Sequence, residues 1–369
     1  MDSLKWNGLS HPETVKTKCS SIRWWRCWPE WVRQAAIVWT ILYGVLGLYW
    51  SLGGPGYPLG SGFHVGPGND RPAESTMFST AAVGAPIMTI LCFTGVWVLF
   101  KCKSQSRGFA RKVLLFYTWS TATVLCFAIA DARALIAVAY APICLVMALL
   151  GRSVHYFDAI TWPVVNQFIC IAGGLLWAAT ALSFQRQSRE ACCYCGRKSA
   201  AGHWIDSDSA LRWGKRITYV AIFAPAYYEV TRIAWLLGIP LGITDEFLHS
   251  LQDTGAVWAG AGLALVSVGG ACLTHGLIKP WGENFPRWIP LMAGKRVPPA
   301  LAVVPAALVS IMSTVTGIQV VRQAFSSAIF PNWGATTPLL LYPVWGIALG
   351  IAAISYYYRR QGSCNHCGL

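Results

Sequence analysis

Charge is what this chain has least of. Only 12% of its 369 residues are Asp, Glu, Lys or Arg, and just 15 are carboxylates. Soluble domains run near a quarter charged, so the scarcity excludes an ordinary soluble enzyme. The common catalytic signatures are missing too. There is no Walker A sequence, no H-E-x-x-H, no G-x-S-x-G, and no histidine pair within the apolar runs spaced for haem. These absences argue against an ATP-driven pump or a membrane hydrolase of known type within this chain alone. Nor does any RNA- or DNA-binding signature accompany the net charge of +14. The basic residues are therefore read as holding loops on the cytoplasmic side and touching anionic lipid, not nucleic acid.

What the chain has instead is apolar length. Hydrophobic residues make up 55% of it, in runs that approach or exceed the roughly 20 residues a spanning helix needs. Nineteen tryptophans, many beside Arg or Pro at the ends of those runs, fit an interfacial aromatic belt. The expected fold is an all-α, polytopic helical membrane protein whose partner is the lipid bilayer. Residues 1–33 read as a basic, tryptophan-rich cytoplasmic leader without the features of a cleavable signal, so the first helix is expected to stay as an anchor. Spans are expected near 35–52, 77–100, 113–130, 163–185, 217–238, 256–278, 300–321 and 339–358. A further apolar run at 134–150 reads as re-entrant or peripheral.

The two halves of the chain match in order. Cys192-Cys-Tyr-Cys195-Gly196 has a twin in Cys364-Asn-His-Cys367-Gly368, and each follows an apolar run ending in Arg-Gln, at Arg186-Gln187 and Arg360-Gln361. Trp50-Ser-Leu-Gly matches Trp235-Leu-Leu-Gly238, and Arg133 with Pro142 matches Arg322 with Pro331. This order predicts two four-helix repeats, 34–198 and 199–369, each ending in C-x-x-C-G. With eight spans, the 29 Lys and Arg residues segregate. Only Arg71, Arg133, Arg152 and Arg322 fall on the outer side and Arg232 within the bilayer. The positive-inside rule then puts both termini and both cysteine turns in the cytoplasm.

Cysteine carries the most specific chemistry. A C-x-x-C-G turn aims two thiolates at one ion, and two such turns supply the four ligands of a closed tetrahedral zinc site. The expected ligands are Cys192, Cys195, Cys364 and Cys367, with Cys193, His203 and His366 as neighbours able to replace one. Zinc bound this way is structural, because no position stays open for water. The competing readings are a redox dithiol or two loops rich in cysteine by chance. Cys92, Cys126, Cys144, Cys170 and Cys272, within the spans, read as small packing residues.

Intramembrane charge is the second signal. Glu229 and Arg232 lie mid-span, three residues apart on one helix face and able to pair, with Pro225 one turn earlier placed to kink the helix. An ionisable group in the bilayer is a functional hypothesis by default, although a pair that only locks helix packing fits the same pattern. The first half carries Gly44 and Gly47 at the corresponding positions. Asp131 and Arg133 flank the 134–150 run, with Arg322 as the repeat partner of Arg133; they mark either a pathway built on irregular backbone or a surface turn. His275 reads as a core residue, His64 and His249 receive no role, and Gly346-x-x-x-Gly350 reads as close helix packing.

The segment Trp281-Gly-Glu-Asn-Phe-Pro-Arg-Trp-Ile-Pro-Leu-Met-Ala-Gly-Lys-Arg-Val-Pro298, with Ala234-Trp-Leu-Leu-Gly-Ile-Pro-Leu-Gly242, resembles uncharacterised bacterial polytopic membrane proteins. The resemblance implies a bacterial inner membrane and supplies no activity, substrate or catalytic residue. Three functional classes remain open. The leading one is a permease-like protein moving a small solute or ion between the repeats, with Glu229, Arg232, Asp131, Arg133 and Arg322 on the pathway. The others are a membrane-embedded enzyme or thiol oxidoreductase, and a sensor, immunity or partner-recruiting protein without transport.

Overall fold

A computed structural model describes residues 28–59, 80–102, 108–152, 156–196, 207–285, 293–326, 331–360 and 364. The leader up to Cys27, His64, Arg71, His203, His366 and Cys367 lie outside the described residues.

Among the described residues the chain is helical throughout, apart from one isolated antiparallel bridge between Asn284 and Arg296. The first half contains α1 (Trp28–Ser51), α2 (Ala81–Lys101), α3 (Gly108–Thr123), α4 (Ala132–Leu149) and α5 (Trp162–Gln187). The second contains α6 (Ser207–Phe223), α7 (Ala226–Leu236), α8 (Asp245–Asp253), α9 (Ala256–Gly276), α10 (Pro299–Ser326), α11 (Trp333–Thr336) and α12 (Tyr342–Arg359). Seven helical segments are long and apolar enough to cross a membrane: α1, α2, α4, α5, α9, α10 and the continuous stretch Trp333–Arg359. In hydrocarbon every backbone polar group must be paired within its own segment, so apolar runs of this length become helices. Buried hydroxyls are absorbed the same way: Thr40, Thr118 and Thr218 each donate to the carbonyl four residues back.

The two other expected spans are composite. Residues 113–130 form α3 continued by a π-helical turn, Val124–Ala128. Residues 217–238 form α6 and α7, broken at Ala224–Pro225 where proline has no N–H to give. The 134–150 run is one continuous helix, α4, rather than a folded-back pair of short ones. Ala134 is its one buried residue, and it lies against α5 of the first half and α9 and α10 of the second.

Packing within the halves follows one scheme. In the first, α1 packs on α2 and α5, and α3 packs on α5. In the second, α6 and α7 pack on α9, α6 packs on α12, and α10 packs on α12. Trp177 fills the first half, its indole N–H donating to Thr40 Oγ1 at 3.2 Å. The halves meet where Cys126, Ala130, Ala134 and Ile171 touch Ile311, Met312 and Val315. Large apolar side chains such as Leu42, Ile90, Phe116 and Leu265 stay exposed around the outside. Such a surface is stable only against lipid.

Candidate metal centre and intramembrane polar site

The first cysteine turn is built by Arg186. This residue ends α5 with only 7% of its surface exposed. Its Nη1 donates to the carbonyls of Cys193 (3.2 Å) and Tyr194 (2.9 Å), and the guanidinium lies 5.8 Å over the ring of Trp28. The Gly196 N–H closes the turn on the Cys192 carbonyl at 2.7 Å. Gly196 has φ +77°, and a Cβ there would meet Arg186 Nε at 2.9 Å. Only glycine suits that position. Tyr194 donates to the Glu30 carboxylate, tying the turn to α1. Burial pushes the thiol of Cys193 and the phenol of Tyr194 above their usual ranges, Tyr194 also through its bond to Glu30.

The other chain end arrives at this turn. Cys192 Sγ lies 4.0 Å from Cys364 Sγ, and the sulfurs of Cys192, Cys195 and Cys364 all lie within 4.8 Å of one another. A tetrahedral ion with Zn–S bonds of about 2.3 Å sets its sulfurs about 3.8 Å apart. The three thiols are therefore close enough to hold a metal, with a small contraction. The fourth expected ligand, Cys367, lies outside the described residues. Arg360, at the corresponding place in the second half, points elsewhere: its Nη2 donates to the carbonyls of Glu283 (3.3 Å) and Val297 (2.9 Å).

On α7, Glu229 and Arg232 take different partners rather than each other. The hydroxyl of Ser267 on α9 donates to Glu229 Oε1 at 2.8 Å. Arg232 is held between aromatic faces, 4.1 Å from the Trp235 ring and 4.6 Å from that of Tyr228. Its Nη2 donates to the Ala335 carbonyl at 3.3 Å. Its Nη1 is buried with no partner among the described residues. Sequence reasoning missed Ser267 and the aromatic pair. Tyr228 and Trp235 carried a signal, since each stands one turn from Arg232 on the same face.

Asp131 and Arg133 form a local unit at the start of α4. Asp131 accepts from the backbone N–H and the Nε of Arg133, each at 2.8 Å. The next free N–H groups of that helix end go to Gln167 Oε1 (3.2 Å) and Gln319 Oε1 (2.9 Å). Arg322 is exposed on α10, one turn beyond Gln319. The structure thus brings Asp131 and Arg133 together at the α4 start, and Gln319 of α10 joins that helix end. A buried polar cluster not foreseen in the sequence joins α1 to α5: Tyr43 donates to Asn166 Oδ1 at 3.0 Å and touches Cys170 Sγ at 3.1 Å.

Together these features define a multi-pass integral membrane protein with a three-thiol cluster at one end. No protein-family description, curated protein or solved structure matches the chain.

Proposed function

We propose that this protein is permease-like, moving a small solute or ion between two four-helix repeats whose cytoplasmic ends are clamped by structural zinc. The observation that carries the reading is the buried Nη1 of Arg232, without a partner among the described residues, one turn from Glu229 on a helix broken by Pro225. A cation donor left unpaired in low dielectric is costly unless something fills its vacant bond. Broken helices are where membrane proteins set solute sites.

Duplication draws support from the shared packing scheme and from one detailed match. On the Trp50/Trp235 alignment, Gly44 and Gly47 correspond to Glu229 and Arg232. A Cβ on Gly44 or Gly47 would lie 2.9 Å from Cys92 Cβ or Thr89 Oγ1 of α2, and Arg232 Cδ lies 3.3 Å from the Cβ position of Gly260 on α9. Both faces therefore meet the second helix of their own half. One half fills that contact with close packing, the other with charge. Loss of the negative charge at Glu229 would turn the charge-assisted bond from Ser267 into a weaker neutral one and loosen the α7–α9 contact. The thiol cluster supports a metal over a redox dithiol, because its sulfurs come from the ends of both halves. A bacterial inner membrane, with termini and cysteine turns cytoplasmic, remains the proposed setting.

The test is proton flux in pyranine-loaded proteoliposomes under gradients of chloride, inorganic phosphate and small carboxylates. Wild-type protein is expected to exceed empty liposomes with at least one of them, and Glu229→Gln to lower that flux about tenfold or more while keeping its metal. Wild-type flux no greater than that of empty liposomes with every solute overturns the permease reading.

A further inference from the structure

An apolar cavity of the second half lies away from the Glu229 site and is independent of the transport reading. It has a volume of about 430 Å³ and is walled by Leu273, Leu277, Trp281, Phe285, Val297 and Leu301. Its lining is almost wholly carbon, and the Thr274 hydroxyl is already spent on the Gly270 carbonyl at 2.8 Å. The helices on either side, α9 and α10, pack on α6 and on α12 rather than on each other. Leu273 and Leu301 stand in that gap 71% and 57% exposed. The cavity opens sideways, toward lipid.

Its end wall is a short ribbon. Phe285 N–H donates to the Lys295 carbonyl (2.9 Å), Gly294 N–H to Phe285 (3.0 Å), and Val297 N–H to Glu283 (2.9 Å). This pairing sets Lys295 and Arg296 beside two wall residues, with Lys279 following Leu277 on the other side. Arg359 Nη2 donates to the Leu277 carbonyl at 2.6 Å, as Arg360 Nη2 does to Val297. Arg359 and Arg360 both hold the one carboxylate here, Glu283, at 3.2 and 3.6 Å, while Lys279, Lys295 and Arg296 lie exposed on the same wall segments. Arg359 Nε and Arg360 Nε remain buried without a partner among the described residues. Five basic residues against one carboxylate, beside an apolar cavity open to the bilayer, match one chemistry.

We propose that the cavity holds an acyl chain of one anionic phospholipid, with the lipid phosphate on the Lys279–Arg296 rim. Acyl burial supplies the general affinity and the rim selects the charge. The commitment is to a membrane lipid: a free phosphate would leave the apolar cavity unfilled.

Native mass spectrometry of the full chain in detergent, titrated with dioleoylphosphatidylglycerol or dioleoylphosphatidylcholine, tests this. Wild-type protein is expected to retain one phosphatidylglycerol about tenfold more tightly than phosphatidylcholine. Lys279→Ser with Arg296→Ser, both exposed, is expected to remove that preference while leaving phosphatidylcholine retention unchanged. Gly270 borders the cavity, and a Cβ there meets nothing within 4 Å. Gly270→Leu is therefore expected to take up part of the space and weaken both lipids. Equal retention of the two lipids by wild-type protein overturns the proposal. So does unchanged phosphatidylglycerol retention in the rim variant, whose fold the exposed positions leave intact, or in a Gly270→Leu protein with wild-type thermal stability.

Discussion

Protein purified under reducing conditions is expected to carry about one zinc ion per chain, and Cys364→Ser is expected to lose it. The serine hydroxyl cannot replace a thiolate whose sulfur lies 4.0 Å from that of Cys192. A structural zinc site contributes on the order of 10 kcal/mol in small peptides. The clamp closes a loop running from Cys192 to Cys364, so its loss should lower the unfolding temperature by about 10 °C or more. Cys192→Ser and Cys367→Ser should behave alike, whereas Cys193→Ser should keep the metal. Acidification should release zinc, since protons compete for the thiolates that bind it. Elemental analysis paired with thermal unfolding decides the matter. Metal-free wild-type protein, or a Cys364→Ser protein that keeps its zinc, would sink the clamp.

How much of such a site is legible in sequence is a question of locality. The C-x-x-C-G turn is a local device: its glycine, its two thiols and Arg186 lie within eleven consecutive residues. Its convergence with Cys364 is legible because each turn follows its helix at nearly the same distance. The apolar runs are legible for the same reason, as backbone pairing in lipid leaves a long run little choice but helix. Pro225 likewise marks the α6–α7 break, because a missing N–H acts on its own helix. Glu229 is the harder case. Spacing pairs it naturally with Arg232, yet Ser267 takes the carboxylate and two rings take the guanidinium. Which side of α9 faces α7 depends on how α9 is rotated, and its small apolar residues run all around it. Nothing in the sequence of such a helix fixes the rotation. The π-helical turn at Val124–Ala128 is hidden similarly, since it answers to packing against α5 and α10 rather than to any local breaker.

A helix contact made backbone to backbone is expected to tolerate change poorly, and Gly346→Leu should destabilise the protein by about 3 kcal/mol. Helices in lipid gain little from burying apolar surface against one another, so close backbone approach and hydrogen bonds must hold α10 to α12. At Gly346 the two backbones approach closely. A Cβ there would lie 2.6 Å from the Ser310 carbonyl oxygen and 2.7 Å from the Thr314 nitrogen. Backbone atoms cannot swing aside, so the helices would have to separate. Separation would also lengthen the 2.6 Å bond from Ser310 Oγ to the Gly346 carbonyl. Gly350 differs in kind, because its nearest neighbour is the rotatable Ser310 hydroxyl at 2.6 Å. Gly350→Ala should therefore cost about 1 kcal/mol. Gly270→Ala, facing open space, should be neutral or stabilise its helix by up to about 1 kcal/mol. Thermal unfolding of the three variants in one detergent should rank them in that order. A Gly346→Leu protein as stable as Gly270→Ala would mean that α10 and α12 do not meet through Gly346.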